Sequence, residues 1–471
     1  MERHLFTILH TLICSLRIIL LPFTNFILPI FSPWVKARLV FERKNSTDLY
    51  SKSFRYDGKK ADVTFEVSSE GELEQVRPLI DQLLTENFLV ELIYASESVE
   101  RKCELLAQEY RGRLRILRLP ILSFFVSSFM GGCNFFRWRT GRILILCRYD
   151  FYPELMLLGG RRNVFFILLS GTLKNKEKYF EKIWHPVASY LRQIYAHFDI
   201  IVAASQDDEK RFLNIGYPSS NLRAFDFRVL QILKRLLEKE HKFAKIPSFA
   251  YFRQTLERFP YERRLILGSA WPNEMEMFRN PDFLKKIIDG YYFVNVAPHK
   301  LSEDSIALIK KTAYKFAEIS GYDLPLYVWS PKMTEEESRV LFAEMAKKPG
   351  ILINTFPGVL CELYTLFAHA FVGGGHGRSI HSVLEPYVAG ATVYCGPKIH
   401  RSTEFDLVKK NTPHQMQVIE ELSSFYPLLS RFELVDKENN ARDMLFDSFK
   451  KQWKEIYSLV LLKLGKHDGL S

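Results

Sequence analysis

Cysteine is scarce in this chain and follows no pattern. The six cysteines among 471 residues (Cys14, Cys103, Cys133, Cys147, Cys361, Cys395) form no C-x-x-C pair and no regular spacing. That excludes a disulfide framework and fits reduced, cytosolic usage. There is no H-E-x-x-H, no clustered Cys/His and no D-x-D near a strand end, so no metal site is expected. No basic helix is interleaved with base-stacking aromatics, and zinc-finger and RNP-like spacings are missing, which ranks nucleic acid last among partners. Repeats and low-complexity tracts are lacking. The GGGHG run at 373–377 has no Lys-Ser/Thr after it and is no P-loop.

What is present is positive charge and apolar bulk. Lys and Arg number 65 against 54 Asp and Glu, a net charge of +11. That excess suits anionic lipid surfaces or phosphorylated substrates. The chain is 47% hydrophobic, enough for two domains with real cores plus an appendage. Residues 5–34 are strongly apolar, interrupted by His10 and Arg17, with Pro22, Pro29 and Pro33 toward the far end. No small-x-small cleavage site follows, so a spanning or deeply embedded anchor is the expectation. Arg3 is the one Lys or Arg before it, whereas Lys36, Arg38, Arg43 and Lys44 follow at once. The basic side then places the main body in the cytoplasm, with added affinity for acidic headgroups.

Beyond the anchor, short apolar runs alternate with helical stretches. Runs at 63–67, 89–94, 143–147, 164–169 and 200–203 form a first series. Runs at 265–268, 293–297, 326–329, 351–354, 370–373 and 392–395 form a second. This rhythm implies parallel sheets in an α/β fold, two doubly wound Rossmann-like domains facing a cleft. The expected limits are 1–44 for the anchor and basic flank, 45–228 for an acceptor domain and 229–260 for a charged linker. A nucleotide-sugar domain would take 261–430 and a helical tail 431–471. One segment breaks the rhythm: 121–140 (ILSFFVSSFMGGCNFFRWRT), with Arg137, Trp138 and Arg139 at its end. It reads as a membrane-facing patch or as an irregular helix on the sheet.

Two constellations carry chemistry. Residues 371–386 read FVGGGHGRSIHSVLEP, a strand running into Gly373, Gly374 and Gly375, then His381, Ser382 and Glu385 at a helix start. Glycines let a ligand approach the backbone, and helix amides favour an anion. A carboxylate in that first turn can accept from ribose hydroxyls, so the stretch reads as a sugar-nucleotide pocket. The second constellation is 68–75, SSEGELEQ, after the first strand. Gly71 is expected to permit a tight turn. Glu72, on the next helix's first turn, is placed to act as a general base or to complement the helix dipole. Glu70 and Glu74 stay open as alternatives. His381 is expected to orient its loop rather than titrate in catalysis. His376 is read as a loop residue.

These residues resemble a family, the 3-deoxy-D-manno-octulosonic acid (Kdo) transferases. Ser69-x-Gly71-Glu72 is similar to the family's S-x-G-E, whose glutamate is the catalytic base. RYDFYPE at 148–154 matches E-x-E-L-W-P in position, SQDDEKRF at 205–212 resembles S-x-x-D-x-x-R-F, and SAWPNE at 269–274 resembles S-T-H-x-G-E. Ala297, Pro298 and His299 stand where A-P-R-H does. Gly358-x-Leu360 with Tyr364 is similar to G-E-L and its tyrosine, and His381 to Pro386 resembles H-N-P-L-E-P. The order holds from about residue 61 to 396, across both domains. The resemblance implies the glycosyltransferase B architecture. It also implies inverting transfer of Kdo from CMP-Kdo to a lipid A precursor at the cytoplasmic face of the bacterial inner membrane, in lipopolysaccharide core biosynthesis. Glu72 would be the base, and Ser69, Gly71 and Asp150 would lie at the acceptor. Ser269, Pro298, His299, Lys300, Gly358, Leu360, Gly373, Gly374, Gly375, His381, Ser382 and Glu385 would line the donor site. No metal and no cofactor beyond the CMP-Kdo donor is implied, and the partners would be that donor, the lipid A precursor and anionic inner-membrane lipid.

The departures are specific. Arg148 replaces the first glutamate of E-x-E-L-W-P, while Asp150 keeps the second acid. Thr172 replaces the arginine of N-A-R-L-S, and His299, with Lys300 adjacent, that of A-P-R-H. Val359 replaces the glutamate of G-E-L, and AFDFR at 224–228 stands for N-L-K-F-D. Arg to Thr removes a fixed bidentate donor for carboxylate or phosphate. Two alternatives follow: a transferase of the same architecture with another nucleotide sugar, or an inactive membrane-associated relative.

Overall fold

A computed structural model describes residues 2–43, 61–119, 121–122, 142–148, 151–161, 164–173, 177–180, 186–377, 379–399, 403–432 and 439–465. Asp150 and nearly all of the aromatic segment 121–140 lie outside them. The chain divides into two compact units, Met1–Gln231 with Phe449–Ser471, and Ile232–Ser448.

The first unit is built on β1 (Val63–Val67), β2 (Val90–Tyr94), β3 (Leu114–Arg118), β4 (Ile143–Cys147), β5 (Phe165–Gly171), β6 (Ile200–Ala203) and β7 (Leu222–Ala224). All pairs are parallel, in the order β3-β2-β1-β4-β5-β6-β7. Helices on the faces bury the strands completely, which is why β1, β2 and β4 read as apolar runs. Strand β3 (LRILR) holds two arginines and escapes that rule. Arg115 is fully buried because Glu91 pairs with it across the β2–β3 register, and Thr64 donates to Glu91 at 3.3 Å. Arg118, also buried, pairs with Glu100 of the helix Glu97–Glu109.

The second unit holds β8 (Arg264–Ala270), β9 (Phe293–Pro298), β10 (Leu326–Trp329), β11 (Ile351–Asn354), β12 (His369–Val372), β13 (Thr392–Cys395) and β14 (Met416–Val418). Its parallel order is β10-β11-β9-β8-β12-β13-β14. The strand order reverses beside β1 in the first sheet and beside β8 in the second. Ligands of open α/β sheets bind outside the carboxyl ends at such points.

Two further segments contribute to the cores of the units. The stretch 229–260 is no free linker. It forms the helices Arg228–Leu237, Lys239–Phe243 and Phe249–Leu256, and Phe243, Phe249 and Phe252 enter the second unit's core, where Phe252 stacks on Trp329 at 5.0 Å. The tail helix Asn439–Leu464 returns to the first unit, where Trp453 stacks on Phe225 at 6.2 Å.

No helix among the described residues is long and apolar enough to cross a membrane. The segment expected to be a spanning or deeply embedded anchor forms the helix Glu2–Pro22, a π-helical turn Phe23–Ile27, and the helices Leu28–Phe31 and Pro33–Arg43. Two of its polar side chains bond to the first unit. Arg17 donates to the Ile121 carbonyl, and Asn25 to the Leu122 carbonyl at 2.9 Å.

Candidate functional site

In the first unit the site forms where β1 and β4 end. The chain leaves β1 through Ser68 and starts the helix Glu70–Thr85 with Ser69 as N-cap, its hydroxyl accepting from the Glu72 amide at 3.3 Å. Glu72 turns back, and its Oε2 accepts the Ser68 amide at 2.6 Å. This is reciprocal capping, and it leaves the carboxylate buried at the strand's carboxyl end. Glu70 and Glu74 face elsewhere, both paired with Lys102 at 2.7 Å on the surface. Of the three acids, only Glu72 sits at the strand end. Gly71 does not make a tight turn as expected. It lies within the helix without a positive φ, and no atom stands within 4 Å of where its Cβ would be.

Three groups around Glu72 were not singled out from the sequence. Glu66, fully buried in β1, accepts from the Ser68 hydroxyl at 3.0 Å, and that hydroxyl also meets Tyr152 Oη at 3.0 Å. A glutamate inside an apolar strand was the signal that could have found this cluster. From the end of β4, Arg148 (φ +66°) reaches the Gln75 side chain at 3.4 Å, one turn beyond Glu72. A neighbouring loop is fixed by Asp208, which accepts from Thr172 (2.9 Å), the Leu173 amide (3.2 Å), Ser205 (3.0 Å) and Arg211 (3.2 Å).

In the second unit the ends of β8, β9 and β12 converge. The three glycines are packed closely against neighbouring backbone. A Cβ on Gly373 would stand 2.2 Å from the Ser269 carbonyl, and one on Gly374 would stand 2.3 Å from that of Ser379. On Gly375 it would lie 2.7 Å from Gly396. Ser269 itself has φ +52° at an irregularity in the β8–β9 register. Glu274, fully buried, ties this turn down. Its two oxygens accept the Trp271 amide at 2.8 Å and the Gly374 amide at 2.6 Å. Burial pushes its carboxyl up to about 7, against the pull of those two amides.

The amides before the helix Leu384–Val388 are likewise taken by an internal anion. Glu404 accepts from Ser382 Oγ (2.9 Å), Val383 N (3.0 Å) and Leu384 N (3.2 Å). Glu385 lies 3.6 Å from Arg235, whose fork grips Glu362 at 2.8 and 2.9 Å. Arg235 also donates to the carbonyl of Gly358, at φ +69° before Val359 and Leu360. Val359 is buried in the core, and Glu362 stands one helical turn further on.

A three-ring stack completes the site. His299, exposed after Pro298 at the end of β9, lies over Trp271 at 4.7 Å and over His381 at 4.3 Å. Trp271 Nε1 donates to His381 Nε2 at 3.3 Å. Burial and then the neighbouring His299 lower the pKa of His381. Lys300 is exposed, its Nζ 5.8 Å from the Trp271 ring. His376, the other loop histidine, stacks on Phe371 at 6.0 Å. Among the described residues no cluster of His, Cys, Asp or Glu could hold a metal ion.

The family model for 3-deoxy-D-manno-octulosonic-acid transferase (kdotransferase) matches residues 36–226. Over these residues, about two-fifths of the chain, the sequence matches that family's model. The enzyme class that follows is glycosyltransferase. The S-x-G-E, E-x-E-L-W-P and S-x-x-D-x-x-R-F positions all fall inside the matched stretch. No curated protein matches the chain. Similar solved structures include UDP-GlcNAc 2-epimerase from Neisseria meningitidis (12% identity, TM-score 0.48, covering 83% of this chain and 100% of that one). A glycosyltransferase from Rickettsia africae has 9% identity and a TM-score of 0.47, with coverage of 86% and 99%. The C-terminal CMP-Kdo binding domain of WaaA from Acinetobacter baumannii has 13% identity and a TM-score of 0.29, with coverage of 45% and 98%.

Within the matched stretch several motif residues make local hydrogen bonds. Ser205, Asp208 and Arg211 hold a loop, and Ser69 caps a helix. Glu72 adds a buried carboxylate at the strand end, next to that of Glu66.

Proposed function

We propose that the chain transfers Kdo, with inversion, from CMP-Kdo to a lipid A precursor at the cytoplasmic face of the inner membrane. Glu72 is the general base. It takes the proton of the acceptor hydroxyl as that oxygen bonds to the anomeric carbon of Kdo. The anomeric C–O bond to phosphate breaks, and CMP leaves with the electron pair. A positioned base of this kind contributes about 10²–10⁴ in rate.

The observation that carries the reading is the position of Glu72. It is buried where β1 ends, inside the family-matched stretch, while Glu70 and Glu74 are committed to Lys102. The open space beside Gly71 gives the acceptor room to approach. On the donor side, Lys300 is the exposed cation next to the stack and offsets charge on the departing phosphate. Glu385 accepts from the ribose, held in place by Arg235. The proton of Ser382 is committed to Glu404, so that hydroxyl meets the donor as an acceptor.

A second reading rests on Val359, a buried side chain where the family carries a glutamate. It is a transferase of the same class with another nucleotide sugar. Incubation with CMP-Kdo and a lipid A precursor tests the first reading: a sugar-extended lipid and free CMP are expected. Thermal stabilisation by UDP- or GDP-sugars with none by CMP-Kdo would favour the second.

A further inference from the structure

The N-terminal segment is inside-out. Between Ile8 and Trp34 the exposed, described side chains are apolar except Ser15, and none carries charge. Leu12, Leu16, Ile19, Phe23, Ile30 and Trp34 recur at helical spacing and are about half to three-quarters exposed. The polar residues point the other way. Arg17 and Asn25 are spent on the carbonyls of Ile121 and Leu122. Against water the opposite arrangement would win, because each exposed Leu, Ile or Phe costs transfer free energy that burial recovers. The free face of this segment is shaped for an apolar solvent.

It is also fastened along its length. The Glu2–Pro22 helix packs on the helices Pro153–Arg161 and Pro186–His197 of the same unit. Further on, Arg38 pairs with Glu42 at 2.7 Å, and Glu42 accepts the Leu122 amide at 2.9 Å. Val35, Leu39 and Phe41 are buried, and the Arg118 guanidinium lies 4.7 Å over the Phe41 ring. A segment held to one unit from Arg17 to Phe41 cannot also run along the bilayer normal. From Ile8 to Trp34 it covers about 39 Å at 1.5 Å per residue. An exposed lysine, Lys36, follows Trp34 at once.

We infer that this stripe lies in the plane of one membrane leaflet, its apolar residues among the acyl chains and Lys36 at anionic headgroups. The occupant is lipid rather than a second copy of the chain: among the described residues the stripe exposes no polar or charged side chain but Ser15 to fix a register with another protein, whereas acyl chains need none. This does not rest on the transferase reading.

Depth measurement on the full chain tests it. Nitroxides are placed by Leu16→Cys, Phe23→Cys and Ile30→Cys, with Cys14 and Cys133 changed to Ser; Cys103, Cys147, Cys361 and Cys395 are buried and stay. In phosphatidylcholine/phosphatidylglycerol vesicles the three labels should share one depth, within about 10 Å of the headgroup boundary. Depths stepping by about 10 Å from one label to the next would mean a spanning helix and overturn the proposal. So would a protein that stays off the vesicles as a dimer with shielded labels. The double substitution Phe23→Glu, Ile30→Glu should lower vesicle partitioning at least tenfold at an unchanged melting temperature. Unchanged partitioning would contradict the inference.

Discussion

The Glu274 carboxylate accepts the Gly374 amide at 2.6 Å, so the glycine turn after β12 is held by an acid from the loop after β8. The same acid accepts the Trp271 amide, and burial lifts it from 4.5 to about 7. A carboxyl raised on folding binds its proton more tightly in the native state. Its contribution to stability is therefore fully present below pH 4.5 and is lost as pH rises through 7. Glu274→Gln should flatten that slope in urea unfolding between pH 5 and 8. It should also cost about 1–3 kcal/mol, since an amide group cannot accept both N–H bonds in the same way.

Gly373 and Gly71 should respond oppositely to alanine. At Gly373 the new Cβ would meet the Ser269 carbonyl at 2.2 Å and Glu274 at 2.7 Å. The loss should be about 1–3 kcal/mol, read as a lower denaturation midpoint. At Gly71 nothing stands within 4 Å, and the position is helical. There Gly71→Ala should raise stability by about 0.5–1 kcal/mol. Loss of transfer in that stabilised variant would mark the open space as ligand space.

Trp271 should set the basicity of His381. Burial, then His299, already lowers that pKa, and the Nε1–H to Nε2 bond must break before Nε2 takes a proton. Trp271→Phe removes the donor, so the His381 titration midpoint should move up toward 6.5. An NMR titration of the imidazole resonances reads the shift, and a lower midpoint would refute the assigned hydrogen bond.

Arg235 compensates Glu362, which is 4% exposed on its side chain against 31% for Arg235. Arg235→Met leaves that carboxylate buried and alone. Breaking a fully buried pair costs about 3–5 kcal/mol, and solvent at Arg235 brings the expected loss nearer about 2 kcal/mol. The adjacent Arg→Lys variant should recover part of it in the same unfolding assay.

The strands could be read directly where parallel strands buried on both faces are apolar, as 143–147 is. Strand β3 could not, since Arg115 and Arg118 pair with Glu91 and Glu100, distant in sequence. The same holds for Glu404, which fills the helix-start amides from 20 residues beyond Leu384. The glycine run is legible in the sequence, but its close contacts with Ser269, Ser379 and Gly396 are not, because they come from loops distant in the chain or from the turn's own closure. The segment 5–34 reads as apolar from composition alone, yet which face it exposes depends on Ile121 and Leu122, and no local pattern reports that.

Glu72→Gln, compared with the unsubstituted protein on CMP-Kdo and a lipid A precursor, puts the central claim to its most direct test. The rate of CMP release should fall by about 10²–10⁴ while circular dichroism and melting hold steady. Undiminished CMP release by the folded variant, or none from the unsubstituted protein, would contradict the account.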